Sequence, residues 1–160
     1  MSAEWIPHRI AAIAARLEGM GFERHDLDDT LLLHRRKFEL SRFGLVDVVV
    51  ALAAVEGEVL PDDLERLESF AIAQAKDRKT RIPRGVGSAV EVFPVTVAEG
   101  ISGDAEAVID AGPANAWSLI TVPAVVHDGG RAISAYEGRK VWGGAYFSSI
   151  RNRLKEWIAG

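Results

Sequence analysis

The segment Leu45-Val46-Asp47-Val48-Val49-Val50-Ala51-Leu52 constrains this chain most, because Asp47 is its only polar residue. A strand with one face in water alternates apolar and polar side chains; a strand that is apolar on both faces must be covered on both sides. The rest of the chain therefore has to supply layers above and below a sheet. At 160 residues it has the length of one domain, read as residues 1–160. A chain of that size buries about 70% of the surface its unfolded form exposes, so it needs no metal or disulfide staples.

Helical periodicity supplies the covering elements. Ile6, Ile10, Ile13, Leu17 and Met20 recur at helix spacing and give a helix over 5–20, with Gly19 and Gly21 as stop signals. A second helix begins at Pro61, with Asp62 and Asp63 in its first turn and Lys76, Arg78 and Lys79 near its end, which suits the helix dipole. Its stripe is Leu60, Leu64, Leu67 and Ala71. A short helix follows near 104–111, and a last one runs from 144 to 158 with Phe147, Ile150, Leu154 and Ile158 inward.

Strands are expected at 31–39, 43–55, 89–98, 117–126 and 131–136, where β-branched and aromatic residues concentrate between turn signals. Asp128-Gly129-Gly130 marks a hairpin between the last two. The fold class is α/β (α+β): one domain with a mixed five-stranded sheet in the order αββα-βα-ββα and helices packed on it. Pro94 and Pro123 fall inside apolar runs and lack a ladder donor, so each is expected at a strand start, a bulge or a sheet edge. An open edge is a template for a further strand, from a second copy or a partner.

Charge is laid out unevenly. The chain carries a net charge of −4, yet 45–65 and 85–130 hold no Lys or Arg at all. Most of the cations fall in three groups: Arg35, Arg36 and Lys37; Lys76, Arg78, Lys79, Arg81 and Arg84; and Arg131, Arg139, Lys140, Arg151, Arg153 and Lys155. Gathered by the fold, such groups make a basic patch on an acidic protein.

Several residues are candidates for chemistry. Asp47, in the most apolar strand, must pair with a cation such as Arg35 or Arg42 or shift its pKa. Arg81 and Arg84 lie past the reach of the helix dipole and are candidates for a phosphate or an acidic partner. Gly143 and Gly144, preceded by Arg139 and Lys140 and flanked by Trp142 and Tyr146, could present bare N–H groups to an anion at a helix start. Asp128 with Glu137, Gly138, Arg139 and Lys140 loosely resembles the Asp…Glu-x-Lys pattern of restriction-endonuclease-like enzymes, in which two acids hold a divalent metal. It departs from that pattern where Arg139 replaces the Lys.

Other chemistries find no support. The absence of cysteine removes disulfides, thiolate nucleophiles and Cys-ligated metals. His8, His25, His34 and His127 form no metal-binding spacing, and there is no P-loop, GxGxxG or GxSxG. A turn accounts for His25 among Asp26, Asp28 and Asp29. No membrane span, cofactor or metal is expected, and the cytoplasm is the expected location. The sequence thus points to a non-catalytic interaction or assembly module, a homo-oligomer or partner-binding protein acting through an open strand edge and the surface near the last helix. The alternative is an anion-handling domain for nucleic acid or nucleotide, with restriction-endonuclease-like ancestry.

Overall fold

The computed structural model describes residues 3–39, 44–78, 88–112, 115–116, 119–137 and 144–159. The elements run α1 (Trp5–Gly19), β1 (Glu23–Leu27), β2 (Thr30–Glu39), β3 (Gly44–Val59), α2 (Pro61–Arg78), β4 (Ser88–Ile101), α3 (Gly103–Asp110), β5 (Asn115–Ala116), β6 (Leu119–Thr121), β7 (Ala124–His127), β8 (Ala132–Ala135) and α4 (Gly144–Ile158). They form one mixed sheet, ordered β1-β2-β3-β4-β6-β5, with β7 also on β4 and β8 on β7. β1, β2 and β3 are an antiparallel meander, whereas β3 and β4 are parallel. A parallel pair needs a crossover, and α2 supplies it.

The double cover demanded by the Leu45–Leu52 run is present. Val46, Val48, Val50 and Leu52 join Phe93, Val95 and Val97 beneath α1 and α4. Val49 and Ala51 face the other way, with Val90 and Val92, beneath Leu67, Ala71 and Ala75 of α2. A smaller cluster tucks α3 against the far ends of β4 and β7 through Ala98, Ala105, Ile109 and Val125. Trp157 of α4 meets Phe22 and Phe93 edge-on, at 5.5 and 5.4 Å between ring centroids.

The mixed α/β class and the four helices agree with the sequence reading; the sheet does not stop at five strands. Among the described residues it has eight segments, seven of them of three residues or more. β1 is added where a turn was expected, because Glu23-Arg24-His25-Asp26-Leu27 is a polar edge strand with little apolar surface to bury. The expected strand over 117–126 divides at Val122-Pro123 into β6 and β7. Leu60 and Met20, expected inward, are exposed at the ends of their stripes.

Pro94 lies at neither an edge nor a strand start but in the middle of β4, opposite Ala51 of β3. Alternate residues of a strand direct their polar groups to the same side. The Val92 carbonyl accepts from Val122 N–H at 2.9 Å, so the nitrogen of Pro94 faces that flank too. There β6 pairs with Val90–Val92 and β7 with Val95–Val97, and the missing donor falls in the gap between them. Pro123 sits in the same interruption. Each proline makes the other tolerable.

Candidate functional site

Two carboxylates lie in the sheet with no solvent exposure, Asp47 on β3 and Glu91 on β4. The register sets Val48 beside Glu91 and Asp47 beside Val90, one residue out of step. Alternation along the strands then sends the two acids to opposite faces. Asp47 lies on the α2 face, and Glu91 on the face beneath α1 and α4.

Asp47 Oδ1 is 2.9 Å from His34 Nε2 and accepts from Arg36 Nε at 2.9 Å. His34 and Arg36 are two apart on β2 and share the Asp47 face. Arg36 also donates to the Arg78 carbonyl at 2.8 Å, joining β2 to the end of α2. Of the two expected partners, Arg35 is corrected, since it points to the opposite face by alternation; Arg42 lies outside the described residues.

Glu91 takes its cation from far along the chain. Arg153 Nη2 of α4 donates to both Glu91 oxygens at 3.0 Å. Arg153 Nη1 lies 4.0 Å from Glu39 Oε1, which Lys37 Nζ meets at 2.7 Å. Arg35 stands on the same face, its guanidinium 4.6 Å above the Phe22 ring, and that of Arg153 is 5.8 Å from the Trp157 ring. Burial lowers the Arg35 pKa, and the neighbouring Arg153 charge adds to that shift. Arg35 Nε and Arg153 Nε and Nη1 are buried without a hydrogen-bond acceptor among the described residues.

The three basic groups of the sequence thus send members to one end of the sheet, where β3 and β4 begin. Arg36 meets Arg78 on one face; Arg35, Lys37 and Arg153 cluster on the other. Spacing along the chain does not show this, since α4 returns to β4 across 62 positions. Glu91 was missed for the same reason: alone in Val90–Val97, it resembled Asp47 but had no cation nearby in sequence.

The other candidates are more scattered. Arg81, Arg84, Arg139, Lys140, Trp142 and Gly143 lie outside the described residues; Gly144 and Tyr146 fall in the opening of α4. Asp128 and Glu137 are at opposite ends of the β7–β8 hairpin and are not brought together. Asp128, at φ 52°, holds Arg131 at 2.9 Å across the turn. Glu137 binds Lys155 and Arg151, and the Lys155 hydrogen bond lowers its carboxyl pKa. No group of three or more acids and histidines able to hold a metal occurs among the described residues, and no helix among them is long and apolar enough to cross a membrane.

The edges of the sheet complete the site. β1 pairs with β2 only from Thr30 to His34, while β2 runs on to Glu39. Arg35–Glu39 therefore has β3 on one side and, among the described residues, no strand on the other. Phe38, in this stretch, is 63% exposed. No protein family matches the chain, and no curated protein does.

Proposed function

We propose that the chain is a non-catalytic, cytoplasmic interaction module that self-associates by adding a strand to the outer edge of β2 at Arg35–Glu39. The observation that carries this reading is the edge itself: five residues of β2 extend past the end of β1, with an exposed aromatic among them. Strand addition supplies main-chain hydrogen bonds, and side chains set the register. A second copy is the fitting occupant. Antiparallel pairing centred on Lys37 sets Arg35 opposite Glu39 of the other copy and Arg36 opposite its Phe38, an opposite-charge pair and a cation–aromatic pair, each repeated by the two-fold axis.

Size-exclusion chromatography with light scattering tests it. A dimer that persists at high salt and is lost in Phe38→Lys is expected; a strict monomer at high concentration overturns the reading.

A second reading, an anion-handling domain for nucleic acid or nucleotide, is favoured by the gathering of Arg35, Arg36, Lys37, Arg78 and Arg153 at one end of the sheet. This reading also draws on Arg81, Arg84, Lys140, Gly143 and Gly144 as candidates from the sequence. Retention on heparin that falls steeply with salt, and falls again in the Arg81→Ala/Arg84→Ala double variant, is expected. No retention at low salt ends it.

A further inference from the structure

At the opposite end of the sheet, where β3 and β4 near their carboxyl ends, a cavity of about 150 Å³ opens between the sheet and the first half of α2. Its floor is Ala53 of β3 beside Thr96 of β4, which are direct neighbours in the register. Its wall is Arg66 and Phe70 of α2, and Asp29 and Asp63 also line it.

Thr96 is 1% exposed, and its Oγ1 has no hydrogen-bond partner among the described residues. Valine has nearly the same shape without a hydroxyl to desolvate, so packing does not explain a threonine there. The charged lining is two carboxylates against one guanidinium. Asp63 Oδ2 accepts from Leu60 N–H at 2.9 Å, while its Oδ1 stands 3.8 Å from Arg66, too far for a hydrogen bond. Among the described residues, Asp29 Oδ1 accepts only a long 3.3 Å bond from Thr30 Oγ1. Both carboxylates keep lone pairs for a further donor, and an aromatic wall suits a cation.

We infer that this cavity binds a short organic amine, with its ammonium between Asp29 and Asp63 near Phe70 and a polar group at its far end on the Thr96 hydroxyl. The volume is about that of cavities known to take a benzene-sized guest, which limits the ligand to a few carbons between its two polar ends. The site is independent of the β2 edge and of the proposed self-association.

Amide NMR titration of the whole chain with aminobutanol, butylamine and butanol is the test. Aminobutanol is expected to give saturable shifts centred on Thr30, Ala53, Phe70 and Thr96. It should bind about five-fold more tightly than butylamine, the worth of one hydrogen bond, and butanol more weakly than either. Thr96→Val should erase the advantage over butylamine while leaving butylamine binding intact; Thr96→Ser should keep it. Asp29→Asn should weaken both amines. No saturation at millimolar concentrations, or an advantage that survives Thr96→Val in a folded variant, overturns the assignment.

Discussion

The two faces of the sheet each bury one carboxylate, and they neutralise it in different ways. Under α2, Asp47 is held by His34 and Arg36, neighbours on the adjacent strand, and Arg36 is 41% exposed. Under α1 and α4, Glu91 is met at both oxygens by Arg153, brought in by the final helix. The first arrangement is made within a hairpin. The second ties a remote helix to the centre of the sheet, so the same type of buried charge acts as a local neutralisation on one face and a long-range clamp on the other.

The largest effect should come from breaking the clamp. Arg153→Leu removes the guanidinium that meets both Glu91 oxygens and should cost about 3–5 kcal/mol in urea unfolding. The Arg153→Leu/Glu91→Leu pair should recover most of that, since replacing both charges by packed apolar groups is often neutral. A single variant as mild as the double would show that the two faces do not differ. Arg36→Ala should cost less, about 1–3 kcal/mol, because His34 remains on Asp47. Phe38→Lys should change monomer stability by no more than about 0.5 kcal/mol while abolishing the dimer.

The smallest effect tests a carboxylate that forms no ion pair among the described residues. Burial raises the pKa of Glu68 on α2, and Glu65 adds to the shift. The folded state therefore holds this proton at pH values where the unfolded chain has lost it. Stability contributed there should fall as pH rises from the ordinary glutamate range through the raised value. Thermal melts of Glu68→Gln should show a flatter profile across that window; an unchanged slope would remove Glu68 from the account.

How much of this was legible follows from where each signal resides. The run at 45–52 dictated the double cover, and α4 began and ended where its periodicity placed it. Asp47 stood out because it interrupts an apolar run, and it does pair with a cation; pairing by face selects Arg36 over Arg35, a choice that depends on register. β1 escaped because an exposed edge strand has no hydrophobic pattern to reveal it. Pro94 misled because a proline in a strand argues for an edge, and only the paired interruption in the neighbouring strands accommodates it. The Thr96 cavity was invisible, since a threonine in a β-rich segment attracts no notice until its hydroxyl is found without a partner.

Arg16 of α1 donates to the carbonyls of Glu156, Trp157 and Ala159 at 2.9, 3.0 and 2.5 Å. One side chain near the start of the chain thereby caps the last turn of α4. On the ribosome, the first helix and the meander emerge long before that turn exists, leaving Phe22 and Phe93 without Trp157 to cover them. The domain can close only when α4 has cleared the exit tunnel, so nascent chains stalled before it should remain open to protease and chaperone.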